Sequence, residues 1–293
     1  MKIVGKCICV IGLVLAVGLW VGSAQAQVMT MKFAHFADEG HPGHLAAKMF
    51  VEAVEKRTNG QIKVQIFPNN ALGAPPEQAE QVKMGVTDMG LPTQGQFDKW
   101  IKTFGAVMLP FAYDDYDHVH RALDGPAFDW FKQLAEKEGF ILLANWEYGF
   151  RNLTNSKKPI NTPDDVKGLK IRVPPEMQMR AFYEVQKHLA VTRHIYNNMI
   201  HTISAKTWAK LSPEQKAIFQ EESKKAGAYM RKQIMSQEDD LIAKMEKVGV
   251  QVTRPNLALF RAAMKPAYDQ ISQYAGAENV KKLQEYIEAA RKK

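Results

Sequence analysis

Residues 212–247 constrain the fold more than any other part of the chain. Ser212 offers an N-cap hydroxyl, Pro213 suits the first helical position, and Gln215 completes a capping box. Behind that start, apolar residues recur at Ala226, Met230, Ile234, Leu241, Met245 and Val248, and no proline interrupts them. The spacing predicts one helix over 212–247, about 54 Å long. A small single domain has no use for a helix of that length, so it is expected to brace two lobes.

The rest of the chain reads as α/β. Residues 31–35 and 61–67 are expected strands, the second alternating Ile62, Val64 and Ile66 with polar neighbours. Residues 43–57 between them carry Ala46, Phe50 and Val54 on one helical stripe, closed by Asn59-Gly60. A strand-helix-strand unit of this kind favours parallel pairing. Further helices are expected at 77–85, 115–123 and 127–138, and an amphipathic one at the end through Val280, Leu283, Ile287 and Ala290. Residues 140–145 are nearly all apolar, as in a strand buried on both faces. A short strand is expected at 169–173, stopped by Pro174-Pro175.

The N-terminus is an address rather than fold. Lys2 and Lys6 precede an apolar run from Cys7 to Val21, and Ala24-Gln25-Ala26 offers a cleavage site. Residues 1–26 are expected to be removed on export to the periplasm, with Gln27 first in the mature chain. Both cysteines lie in that leader, so disulfide, thiolate and cysteine-metal chemistry drop out together. Without Lys2 and Lys6 there are 37 basic residues against 31 acidic ones, scattered rather than blocked. That distribution argues against nucleic acid and suits a small anionic ligand.

No nucleophile elbow, P-loop, zinc-protease or dinucleotide motif occurs, so the chain is not expected to be an enzyme or to need a cofactor. Asp114, Asp115, Asp117, His118 and His120 read as a capped helix start rather than a metal site. His41 and His44 receive the same reading at another helix start. Two arginines stand apart. Arg151 follows the strand that ends at Phe150, and Arg172 lies between Ile171 and Val173 in an apolar strand. A guanidinium there needs a partner or a cleft; its planar fork suits a bidentate carboxylate, and an internal ion pair is the other reading.

Four stretches carry a family resemblance. They are residues 50–64 (FVEAVEKRTNGQIKV) with Pro68 and the turn at 71–73, residues 85–90 (GVTDMG), residues 148–155 (YGFRNLTN) running on to 162–174 (TPDDVKGLKIRVP), and residues 182–189 (FYEVQKHL) with Trp208 and 211–214. In order and spacing the chain resembles the DctP-type solute-binding proteins of tripartite ATP-independent periplasmic (TRAP) transporters. The resemblance implies two α/β lobes of the periplasmic-binding-protein kind around a ligand cleft, braced by a long helix. It implies capture of a mono- or dicarboxylate for TRAP membrane subunits, by a monomer. It makes Arg172 the main carboxylate anchor and Arg151 a second cleft arginine, with His35, His41, Thr93 and Gln94 on the first lobe's side. The grouping expected is residues 27–149 with 200–250 as lobe I, and 150–199 with 251–293 as lobe II.

One departure stands out. Where the family continues after residues 174–179 with helix, strand and helix, this chain passes from Arg180 directly to Ala181-Phe182. About 30–40 residues are absent at ordinary element lengths, and with them the family's asparagine contact. The second lobe is therefore expected to be shortened and less stable. Two further readings follow from the same residues: a sensor presenting its ligand to a membrane kinase, and a truncated remnant that no longer binds.

Overall fold

The computed structural model describes residues 28–171 and 186–292. The leader, its cleavage site, Arg172 and the start of the 182–189 motif lie outside the described residues. Among the described residues no helix is long and apolar enough to cross a membrane.

Strand β1 (Met29–Ala34), helix α1 (Pro42–Arg57) and strand β2 (Ile62–Phe67) form the expected unit, the strands pairing in parallel from Met29↔Ile62 to Ala34↔Phe67. Helix α1 stops because the Thr58 hydroxyl donates back to the Val54 carbonyl at 2.8 Å and Asn59 and Gly60 turn left-handed, at φ 50° and 74°. Helix α2 (Pro75–Met84) and the short strand β3 (Met89–Gly90) follow. Helices α3 (Tyr116–Leu123) and α4 (Pro126–Lys137) come next. The Asp115 carboxylate accepts from the His118 amide at 2.7 Å, so the acidic–histidine cluster is a capped helix start.

Two long antiparallel strands, β4 (Phe140–Asn155) and β5 (His188–Ser204), then cross the molecule. At ordinary rise each is about 50 Å long, matching the bracing helix. After one turn of helix, α5 (Ala205–Trp208), comes that brace, α6 (Pro213–Lys247), unbroken as expected. Ser212 Oγ accepts from the Gln215 amide at 3.1 Å, and Gln215 Oε1 accepts from the Ser212 amide at 3.0 Å. Strand β6 (Gln251–Thr253) and helices α7 (Leu257–Ala262), α8 (Lys265–Ala275) and α9 (Ala277–Arg291) complete the chain. The sheet order is β2-β1-β3-β5-β4, with β6 pairing β5 in parallel at its His188 end.

Each face of the sheet is covered by helices. On one face α1 and the first half of α6 bury Phe33, Phe50, Trp146, Phe219 and Met230. On the other, α3, α4 and α9 bury Phe104, Phe131, Phe140, Phe150 and Leu283. Helices α8 and α9, grouped by the sequence with the second lobe, pack on this second cluster. At the far end the described residues form two smaller clusters. There the end of α6 meets Leu189, Val191 and Val250 through Ile242 and Met245. Beside it Phe111, Ile160, Ala190 and Phe260 form another small cluster.

Three sequence expectations need correction. Arg151 does not follow a strand; it lies inside β4, opposite Ile195. The strand runs on because Gly149, at φ 97°, and a bulge at Tyr148 absorb the kink that reads in sequence as an ending. Strand β5, the partner that makes this possible, was not anticipated. Finally, Leu169, Lys170 and Ile171 form no strand. A strand requires a ladder partner, and both edges of the nearby start of β5 are already taken, by β4 and β6.

Candidate functional site

Where β4 leaves the main core, three elements converge: the turn after β1, the N-terminus of α1 and the middle of β4. The turn carries Phe36, whose ring stands edge-on to Tyr148 of β4 (centroids 5.6 Å apart) and to His41 (5.3 Å). His41 is held as the N-cap of α1, its Nδ1 accepting from the Gly43 amide at 2.9 Å. Pro42 follows it at the first helical positions. These three rings are only partly buried.

On β4, side chains alternate between faces, and the bulge resets the alternation. Trp146 packs toward α6, donating Nε1–H to the Ser223 carbonyl at 3.0 Å. Glu147 points the other way, toward α3, where His120 Nε2 lies 2.8 Å from its Oε2. Tyr148 returns to the α6 side. Phe150 enters the opposite aromatic core beside Tyr116 and Tyr196, at 5.1 and 5.3 Å. Arg151 therefore falls on the face of Tyr148 and Phe36.

The electrostatics of Arg151 set it apart. It is half-buried, and among the described residues it makes no ion pair and no side-chain hydrogen bond. Burial lowers its pKa, so its charge is held at a cost. The neighbouring His194 is pushed down to about 4, first by burial and then by the Arg151 cation, and stays neutral at ordinary pH. His194 Nδ1 and Thr192 Oγ1 are 2.8 Å apart in an irregular stretch of β5 where Arg193 takes φ 43°. Arg231 is also well buried, yet it is paired through two nitrogens with Asp124. The two arginines thus differ in kind: Arg231 has an acidic partner, although its Nε meets no acceptor among the described residues, whereas Arg151 has no acidic partner among them. A guanidinium mounted on a strand, with no acidic partner among the described residues, can bind a carboxylate with two parallel hydrogen bonds.

The other expected site residues are spread around this point. His35 lies beneath it, fully buried, edge-on to Phe33 at 5.8 Å and His44 at 5.3 Å. Burial, then His44 and His41, push its pKa to about 3. Thr93 and Gln94 are buried across the sheet, where Thr93 bridges Met199 at the level of Trp146. Arg172 lies outside the described residues. Phe36, Tyr148, Glu147 and His194 were not singled out in sequence. The signal for Tyr148 and Glu147 was present, because a glutamate and a glycine inside an otherwise apolar strand mark a bulge. A concavity of about 580 Å³ beside Phe111, Tyr268, Arg261 and Arg291 is a poorer anion site, because Asp114 accepts from Arg291 Nε at 2.7 Å and lies 3.7 Å from Arg261.

Comparison with known proteins gives a consistent result. The family of bacterial extracellular solute-binding proteins, family 7 (DctP), matches residues 33–181 and 175–274. The sialic acid-binding periplasmic protein SiaP of Vibrio cholerae serotype O1 is 30% identical over 295 residues, covering 87% of this chain and 92% of that protein. That alignment is longer than the share of this 293-residue chain it covers, so about 40 of its positions find no residue here. The two family matches meet at 175–181, where the sequence departs from the family pattern. Among solved structures, a TRAP periplasmic solute-binding protein from Ochrobactrum anthropi superposes with a TM-score of 0.83 at 30% identity, covering 91% of this chain and 97% of that one. Another from Roseobacter denitrificans, with bound β-D-glucuronate, gives 0.83 at 26%, covering 89% and 99%.

Proposed function

The chain belongs to the family 7 solute-binding proteins that serve TRAP transporters, and from that premise we propose that it captures a small organic acid in the periplasm and hands it to TRAP membrane subunits. The observation that carries this reading is Arg151, a half-buried guanidinium near Tyr148 with no acidic partner among the described residues. A cation desolvated by the fold and left unpaired is stabilised when an anion arrives, which is differential binding in its simplest form. Relatives named for sialic acid and solved with glucuronate are carboxylate binders, so the proposed ligand class is a monocarboxylate, dicarboxylate or sugar acid.

In this reading the cleft lies between two lobes joined by β4, β5 and α6. Lobe I is residues 27–149 with 200–250, and residues 150–199 with β6 and α7 form the core of lobe II. Arg172, which follows Ile171 in the family's arginine-bearing segment, is proposed as the principal anchor and Arg151 as its companion. His41 contributes from the α1 N-terminus, and His35, Thr93 and Gln94 support the first lobe's wall. The leader is proposed to be cleaved before Gln27.

A thermal-shift screen tests the proposal. Residues 27–293 are mixed with D-glucuronate, N-acetylneuraminate, succinate and simple monocarboxylates. A ligand at a hundred times its Kd raises stability by about 2.7 kcal/mol, a shift of several degrees for a protein this size. At least one acid is expected to do so. A folded protein that no acid stabilises favours the remnant reading, in which the absent positions have removed the opposing wall of the cleft.

A further inference from the structure

The bulge at Tyr148 decides which face of β4 Arg151 occupies, and one side chain holds that bulge. Across β4 and β5 the register runs Trp146↔Met199 and Glu147↔Asn198, then resumes at Gly149↔Asn197, leaving Tyr148 as the extra residue. A bulge removes amides from the ladder, and buried amides need acceptors. Both are supplied by the preceding residue: Glu147 Oε1 accepts from the Tyr148 amide at 3.0 Å and from the Gly149 amide at 2.8 Å. Its other oxygen accepts from Tyr196 Oη at 3.1 Å and lies 2.8 Å from His120 Nε2. The carboxylate is fully buried, and its four acceptor sites meet four neighbours.

Without the bulge, the register beyond it shifts by one residue and every later side chain changes face. Phe150 would leave the aromatic core of Tyr116 and Tyr196, and Arg151 would enter it. We propose that Glu147 is a positioning residue for ligand capture, closing the Tyr148 bulge with Oε1 and so holding Arg151 on the cleft face of β4. The proposal rests on the reading that Arg151 meets the ligand. Glu147 itself touches no ligand in this account; it acts through the backbone.

Two variants separate backbone positioning from charge. Glu147→Gln keeps an acceptor oxygen for the two amides and removes the charge. Glu147→Leu keeps the bulk and removes every acceptor. Amide exchange followed by NMR needs no ligand. In Glu147→Leu the Tyr148 and Gly149 amides are expected to exchange at least tenfold faster, while those of Leu142 and Leu143 stay as in the parent; Glu147→Gln is expected to keep all four protected. Affinity for D-glucuronate is then measured in a double-mutant cycle with Arg151→Ala. Glu147→Leu is expected to weaken binding at least tenfold in the parent and less than threefold in the Arg151→Ala background, because its effect passes through Arg151. Equal factors in both backgrounds, or unchanged exchange at Tyr148 and Gly149, would overturn the proposal. Should Glu147→Leu fail to fold, Glu147→Gln decides: a tenfold loss of affinity or of protection there makes the role one of charge. If the parent binds no D-glucuronate, that counts against the functional reading alone, and the exchange data still decide the bulge.

Discussion

Arg151 and Arg231 show how two buried arginines of one protein can be told apart. Arg231 is paired with Asp124 at the C-terminal cap of α3, and removing it leaves that carboxylate without its cation. Arg231→Ala is therefore expected to cost about 2–3 kcal/mol of stability in urea unfolding. Arg151 has no such partner among the described residues, so Arg151→Ala is expected to leave stability unchanged or slightly raised, and a loss like that of Arg231→Ala would contradict its assignment. Buried histidines give a second prediction at this scale. His35 and His201 are held near pKa 3, His201 by burial and then by His35. Both lie below the unfolded value of 6.5, so the unfolded chain binds more protons once pH falls beneath 6.5. Stability is fully present above about pH 6.5 and is lost as pH falls toward 3, by up to about 1.4 kcal/mol per pH unit for each histidine. Unfolding measured at pH 7.5, 6 and 4.5 should show this fall before most carboxylates titrate; a flat profile would contradict it.

Helix α6 was the most legible element because its evidence is local: a capping box, a proline at the first positions and an apolar stripe. Strand β5 was illegible for the opposite reason. It mixes His188, Thr192, Arg193, His194, Asn197, Asn198 and His201 into an otherwise apolar run, so no period of two emerges. The fold gives some of these polar groups partners: Asn198 donates to Asn145 Oδ1 at 2.7 Å, and His201 Nδ1 lies 2.8 Å from Ser223 Oγ, while Asn197 Nδ2, Asn198 Oδ1 and His201 Nε2 meet none among the described residues. Such partners are distant in sequence and invisible from it. Gly227 marks where brace and strand meet most closely, since a Cβ there would stand 2.7 Å from the Asn145 carbonyl oxygen. Gly227→Ala is expected to destabilise by about 1–3 kcal/mol despite better helix propensity. A stabilised variant would show that α6 is not seated as tightly on β4.

Over the whole molecule, the α/β class, the first strand-helix-strand unit and the brace were readable, while the site was readable only in part. Arg151 and Arg172 stood out by their chemistry as candidates, but the bulge that orients Arg151 depends on strand pairing. The described residues at the far end bury two small clusters, around Phe260 and around Ile242, against extensive cores on both faces of the main sheet. Local opening should therefore be easiest there, and amides of 188–191 are expected to exchange faster than those of β2. Equal or greater protection in 188–191 would contradict a weakened second lobe.

The central claim is that this fold captures an organic acid through Arg151. Calorimetric titration of the acid found by the screen into the parent and into Arg151→Ala tests it most directly. The account expects one-to-one binding by the parent and a loss of at least tenfold, about 1.4 kcal/mol, in the variant. Equal affinity in the two proteins would contradict it.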